Sequence, residues 1–251
     1  MFNMQGGQGE QKRTKKSKKG FSLIESLLCM SLFLFITIAS LEFFSSTRTH
    51  FFKLKTAEET NTAAFSALDK MRIDCLDGGL GLIIPIEQGF LEGISEKNSG
   101  LIILSREMEI PSLNDLVAGQ TRIQLESTKN MKRGKQLVFF DSNKGEIHSI
   151  SSVDQHSIVL SSPLNSPFLK EKTSMLLLRK ITLFFDNENQ IIRRKVNASP
   201  SQPLLEEVAS FNFEYDKNSN LVTLRLSLET KKEKEYEITV FPKNTAMAAL
   251  H

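Results

Sequence analysis

"KKSKKGFSLIESLLCMSLFLFITIA", Lys15 to Ala39, changes character at a single residue. Lys12, Arg13, Lys15, Lys16, Lys18 and Lys19 crowd its approach, and after Gly20 the charge stops. From Phe21 to Leu41 the chain is apolar except for one carboxylate, Glu25. Coiled as a helix, this run spans about 31 Å, close to the hydrocarbon thickness of a bilayer. The basic residues on its N-terminal side place the head in the cytoplasm and the chain beyond residue 44 outside. A secretory signal peptide has the same charge order but closes on a small-residue cleavage site. Ala39-Ser40-Leu41 is a poor match to such a site and runs on into more helix-forming sequence.

The basic balance belongs to this head alone. The chain has 32 Lys and Arg against 29 Asp and Glu. Residues 1–20 hold six of the former and one of the latter, which leaves 26 against 28 in the rest. The body therefore offers no electrostatic argument for nucleic-acid binding. With 40% hydrophobic and 24% charged residues, most of the chain should fold. Its two cysteines, Cys29 in the apolar run and Cys75 beyond it, form neither a disulfide framework nor a metal-binding spacing. Cys75 reads as a small buried apolar residue.

Glu25 is the anomaly. A carboxylate deep in a membrane helix costs roughly 2.5–3.5 kcal/mol on insertion scales, so it needs a partner or a shallow position. The residues around it, Gly20-Phe21-Ser22-Leu23-Ile24-Glu25 after a short basic leader and before an apolar helix, resemble the class III signal of the type IV pilin superfamily. That resemblance implies cleavage between Gly20 and Phe21 by a membrane prepilin peptidase, followed by N-methylation of Phe21. It also implies that Glu25 pairs with the N-terminal amine of a neighbouring subunit, two charges offsetting each other's desolvation in a low dielectric. Many major pilins carry a proline about 22 residues into the mature chain; here that place holds Glu42.

Neither Gly nor Pro occurs between Gly20 and Gly78, which permits one helix of roughly 80 Å. Leu54, Ala57, Asn61, Ala64, Leu68, Met71 and Cys75 recur at spacings of three and four, with Phe65 beside them, and predict one buried seam. Lys53, Lys55, Glu58, Glu59, Asp69, Lys70 and Asp74 read as solvated. Asp77-Gly78-Gly79 predicts the stop. Short strands are then predicted at 82–86, 101–104, 121–125, 136–140, 146–150, 157–160, 175–185, 190–196, 209–215, 221–228 and 235–241, joined as antiparallel meanders on one face of the helix. Residues 95–135 are expected to hold mainly loops. Val222, Leu224, Leu226 and Leu228 alternate with Thr223, Arg225 and Ser227, the mark of a half-buried strand.

The second half carries a looser resemblance. "LRKITLFFDNENQIIRRKV", "QPLLEEVASFNFEYD", "LVTLRLSLET" and "VFPKN" follow an order similar to that of PilW-like minor pilins and the J-type minor pseudopilins of type II secretion. Lys243-Asn244 stands where those proteins often have Arg-Asn, and "LDKMRIDCLDGGLGL" resembles the close of their long helix.

No catalytic constellation is assembled by sequence. His50, His148, His156 and His251 read as isolated, and HExxH, GxSxG and GxGxxG patterns are missing. Asp141, Asp154, Asp186 and Glu188 read as turn formers rather than calcium ligands. The expectation is an α+β chain with no enzymatic activity and no cofactor or metal. Its first part is a long N-terminal helix, membrane-spanning and then amphipathic, packed on antiparallel sheet in a pilin-like arrangement. It divides into a basic leader (1–20, removed), a transmembrane and assembly helix (21–44), its amphipathic continuation (45–78) and an extracytoplasmic β-rich domain (79–251). The resemblance implies a minor pilin or pseudopilin, first inserted in the inner membrane and then assembled into a filament. Its implied partners are the prepilin peptidase, other pilins or pseudopilins, the inner-membrane assembly platform and membrane lipid. The residues alone leave open an uncleaved signal anchor carrying a β-rich binding domain.

Overall fold

A computed structural model describes residues 22–97, 99–229 and 231–248, and in it the run without Gly or Pro is one continuous helix, α1 (Leu23–Leu76). The stop falls where the glycines predicted it. Gly79 takes a positive φ of 75°, and a Cβ at Gly78 would lie 2.7 Å from Ile94 Cγ1, so the chain can turn here only with a bare backbone. The chain falls into two compact units that divide between Glu58 and Glu59.

The second unit holds every strand among the described residues. Its strands are β1 (Ile94–Lys97), β2 (Gly100–Ile110), β3 (Arg122–Gln124), β4 (Gln136–Phe140), β5 (Gly145–Val153), β6 (Ser157–Leu160), β7 (Ser174–Asp186), β8 (Ile191–Val196), β9 (Gln202–Leu205), β10 (Val208–Asp216), β11 (Leu221–Leu228) and β12 (Lys231–Val240). Two short helices, α2 (Ile83–Glu87) and α3 (Lys243–Ala248), flank them. The class is thus α+β with antiparallel sheets.

β10, β11 and β12 form a three-stranded meander. The other nine strands do not. β7 is their axis: β2 pairs along its whole length, from Gly100↔Phe184 to Ile110↔Met175. Its other edge is shared, with β4 on residues 174–178 and β8 on 181–186. The path β1-β2-β7-β4-β5-β6-β3 with a β8–β9 branch therefore corrects the expectation of simple meanders. Met175, Leu176, Leu177 and Leu178 are all buried, because both faces of the sheet are covered at the branch.

Three apolar clusters follow from this layout. The largest joins Ala64, Leu68, Met71 and Cys75 of α1 to both sheets, with Ile103, Leu183, Phe211, Leu224 and Leu226. Phe139, Phe168, Ile123 and Ile158 anchor a second, and Leu82, Val138 and Leu178 a third. Fully burying each Leu, Ile or Phe contributes roughly 1.5–3 kcal/mol, so these clusters dominate the stability of the unit.

Several expectations need correction. The run at 82–86 is not a strand: Pro85 lacks the N–H a ladder needs but is tolerated in the first turn of a helix, and 83–87 forms α2. β1 and β9 lie where no strand was predicted, and β2 continues far into the segment expected to be loop. Leu54 is 71% exposed and Phe65 58%, so the buried seam starts at Ala64. Asp74, expected in solvent, is fully buried.

Candidate functional site

The first turn of α1 carries the one predicted site residue that the structure describes, Glu25; Gly20 and Phe21 lie outside the described residues. Ser22 precedes the helix as its cap. Its Oγ accepts from the Glu25 N–H at 3.2 Å, and a Glu25 carboxylate oxygen accepts from the Ser22 N–H at 2.9 Å. This reciprocal pair is a capping box, which satisfies two of the donors that every helix start leaves orphaned. Ser22-Leu-Ile-Glu25 spells its S-x-x-E signature, a local role for Glu25 that the reading of the sequence passed over. The carboxylate also stands at the positive end of the helix dipole, where negative charge is favoured.

Behind this turn the helix exposes apolar side chains on all sides, among them Leu27, Leu28, Phe33, Leu34, Phe35 and Ile38. Its hydroxyls turn back on the backbone: Ser31 donates to the Leu28 carbonyl and Thr37 to the Phe33 carbonyl, at 2.9 and 2.8 Å. A helix that satisfies its own polar groups and carries an all-round apolar surface suits hydrocarbon. By length and composition it can cross a membrane.

The C-terminal turns of α1 face a different environment. Asp74 accepts from Arg194 of β8 through both oxygens, at 2.6 and 3.0 Å. This bond holds the Arg194 guanidinium above its ordinary value, against the effect of its partial burial. Tyr236 of β12 donates to the Asn61 side chain. Asn244 donates to the Leu76 carbonyl at 3.2 Å and Thr245 to the Gly78 carbonyl at 3.3 Å, so the C-terminal Lys243-Asn244-Thr245 run closes the helix end. Cys75 is buried and free, and its thiol is pushed up to about 12, chiefly by desolvation with Asp74 adding to it, which makes it unreactive.

One further polar cluster corrects the expectation that His148 is isolated. Nδ1 of this buried histidine lies 2.9 Å from Ser162 Oγ, and its Nε2 lies 2.9 Å from a Glu146 carboxylate oxygen. Glu146 also accepts from the Asn165 N–H at 2.8 Å. Burial pushes the Glu146 carboxyl up, but bonds from Asn165, His148 and Ser166 outweigh it and hold the group below the usual carboxylate range. Glu146 and His148 stand two apart on β5, one face of one strand, a spacing legible in the sequence; Ser162 arrives only through the loop after β6. The three side chains are aligned like a nucleophile, base and orienting acid. However, the Ser161 N–H bonded to the Ser149 carbonyl and the Asn165 N–H bonded to Glu146 fasten that loop to β5, and three clefts of this unit are lined by other residues. The arrangement is a clasp. Among the described residues no three His, Cys, Asp or Glu side chains converge as a metal site.

No protein-family model matches this chain. No curated protein matches it either. Among solved structures it is similar to the tailspike protein gp49 from Pseudomonas phage LKA1, at 16% identity, with 28% of this chain and 14% of that chain covered and a TM-score of 0.27. The Gp54 tailspike of Acinetobacter baumannii bacteriophage AP22, solved in complex with capsular saccharide, gives 15% identity, 31% and 15% coverage and a TM-score of 0.27. Phage phi92 endosialidase gives 11% identity, 56% and 33% coverage and a TM-score of 0.19. The chain spans a third or less of the length of these proteins, and at such TM-scores the likeness carries no argument.

Proposed function

We propose that this protein is a minor subunit of a type IV pilin-like filament, either a pilus or a type II secretion pseudopilus. On this reading it is inserted in the inner membrane through α1, cut between Gly20 and Phe21 by a prepilin peptidase, methylated at Phe21, and assembled with other pilins or pseudopilins. The observation that carries the reading is the sequence Gly20-Phe21-Ser22-Leu23-Ile24-Glu25 at the head of a 54-residue helix that, after Glu25, exposes apolar side chains on all sides as far as Leu41. The packing of the later turns on antiparallel sheet supports it. After cleavage Glu25 would face a new amine as well as its own capping contact.

The test is the intact mass and N-terminal residue of the protein isolated from its native membrane. A chain that starts at Phe21 and is heavier by one methyl group supports the reading; a chain that starts at Met1 overturns it. Gly20→Arg should accumulate uncut precursor.

The capping box favours one other reading, an uncleaved signal anchor, because it gives Glu25 a partner within its own chain. Two variants separate the roles. Ser22→Ala removes the cap and keeps the carboxylate, so a filament subunit should still assemble. Glu25→Ala removes both and should insert but fail to assemble. Equal incorporation of wild type and Glu25→Ala would leave the residue with its capping role alone.

A further inference from the structure

We infer that the cleft at the fork of the sheet, where β4 and β8 part along β7, binds a terminal phosphate group, free or carried as a monoester, through Lys132, Arg133 and Lys135. The inference goes beyond the filament reading and does not depend on it.

The cleft follows from the fork. β4 reaches along β7 only to Gln136↔Leu178, and β8 takes up the same edge at Ile181↔Val196. Arg179 and Lys180 are left without a ladder partner on that side. Asn197, just past β8, fills part of the gap: its N–H donates to the Lys180 carbonyl at 2.7 Å, and its side-chain oxygen accepts from the Lys180 N–H at 2.8 Å. Residues 132–135, just ahead of β4, make a tight turn. The Lys135 N–H donates to the Lys132 carbonyl at 3.1 Å, and the Gly134 N–H to the Ile150 carbonyl at 2.8 Å. Gly134 takes a φ of 83°, and a Cβ there would lie 2.5 Å from Ala198 Cβ, so the two turns touch. Glu107, across β7, is the extra residue where β2 shifts register between Arg106 and Met108. The backbone thus fixes the lining before any ligand arrives, which lowers the cost of binding.

The cleft has a volume of about 390 Å³, and its lining carries three cations, Lys132, Arg133 and Lys135, against one carboxylate, Glu107. That carboxylate is already engaged. The Lys135 ammonium donates to it and, at 2.7 Å, to the Asn130 carbonyl, from a side chain only 11% exposed. An ammonium has three protons, so one remains. Lys132 and Arg133 have no carboxylate partner among the described residues. This is unusual for an arginine of this body. From residue 59 onward there are eight, and every one but Arg133 pairs with a carboxylate. An excess of two cations also runs against the chain beyond residue 20, with its 26 Lys and Arg against 28 Asp and Glu.

The uncharged part of the lining adds donors. The Ser199 hydroxyl and the side-chain NH₂ groups of Asn130 and Asn197 bond to no other protein group among the described residues. A carboxylate would bring two oxygens and one charge. A terminal phosphate brings three oxygens and, above its second pKa of about 6, two negative charges, which matches both the donors and the excess.

The test uses the full chain in nonionic detergent micelles at about pH 8, where the phosphate is a dianion, and at constant ionic strength. Methyl phosphate, inorganic phosphate, dimethyl phosphate and acetate are titrated by calorimetry and by amide shifts. Methyl phosphate should saturate the protein below about 1 mM, with shifts confined to residues 130–135 and 197–199. Inorganic phosphate bound equally well assigns the site to an ester, and inorganic phosphate bound about tenfold tighter assigns it to the free ion; both support the inference. Dimethyl phosphate and acetate should bind about tenfold more weakly. Arg133→Gln should weaken methyl phosphate about tenfold, and the neutral change Ser199→Ala about threefold. Lys195→Gln, which removes an exposed cation of β8 outside the cleft, should leave binding unchanged. Failure to saturate by about 10 mM, or acetate or dimethyl phosphate bound as tightly as methyl phosphate, overturns the inference. Equal losses from Lys195→Gln and Arg133→Gln would reduce the cleft to general surface charge and also overturn it.

Discussion

Two carboxylates on α1, Glu25 and Asp74, are held in opposite ways. Glu25 is exposed in the first turn and bonds to a backbone N–H three residues away. Asp74 is fully buried near the last turn and needs a guanidinium brought by β8, far along the chain. The apolar side chains around them divide likewise. Leu27, Phe33 and Phe35 are exposed, whereas Ala64, Leu68 and Met71 touch both sheets. The first turns of the helix are therefore self-sufficient and wait for an apolar solvent. The last turns are incomplete without the rest of the fold.

The largest expected effect removes the distant partner. Arg194→Met leaves the Asp74 carboxylate buried with, among the described residues, only the Lys70 cation nearby, 3.9 Å away and half exposed. Breaking one side of a buried pair costs about 3–5 kcal/mol. Urea unfolding followed by tyrosine emission reads this directly, because the chain has two tyrosines and no tryptophan, and both Tyr215 and Tyr236 lie in the β-rich unit. Asp74→Leu combined with Arg194→Met should recover most of the loss. A single-variant loss below about 1 kcal/mol would mean that the pair behaves like a surface ion pair, and the contrast with Glu25 would collapse.

Truncating the apolar side chains comes next. Met71→Ala should cost about 2–5 kcal/mol in the same assay, the transfer loss plus a cavity among packed neighbours. Leu32→Ala, on an exposed part of the same helix, should change it by no more than about 0.5 kcal/mol. Comparable losses from both would show that the two parts of α1 share one packed environment.

Which of these features the sequence disclosed follows from the range of the forces involved. The helix and its stop are local: no Gly or Pro up to Gly78, then two glycines in a row. β4, β6 and β11 were legible to the residue, since apolar runs and turn signals bound them closely. What escaped is long-range. Asp74 looks like any acid on a polar helix face until β8 delivers Arg194. β9 hides behind Pro203, because an edge strand tolerates the proline that a central strand would reject. The branch at β7 has no local signal beyond the strand's length. Leu54 kept the seam's spacing but lies nearly three turns before Ala64, where the buried seam begins. The sites divide on the same principle. The S-x-x-E pattern that makes the capping box was fully present and was overshadowed by the more specific motif around it. Ser162 could not have been joined to His148 without the fold.

The smallest effect is the most local and separates the two carboxylates most cleanly. Ser22→Ala deletes the acceptor for the Glu25 N–H and one half of the reciprocal cap. A lost N-cap costs about 1 kcal/mol, which corresponds to roughly fivefold faster exchange of the amide it covered. In micelles that change should be confined to the first turn and centred on the Glu25 amide, with tyrosine-detected unfolding of the β-rich unit unmoved. Spread of the effect to Met71 or Cys75 would mean that α1 responds as a single cooperative rod, so that Glu25 and Asp74 report on one stability rather than two. Unchanged exchange at Glu25 would mean that the Ser22 hydroxyl contributes nothing measurable, and the local hold on Glu25 would then rest on the bond from the Ser22 N–H to its carboxylate.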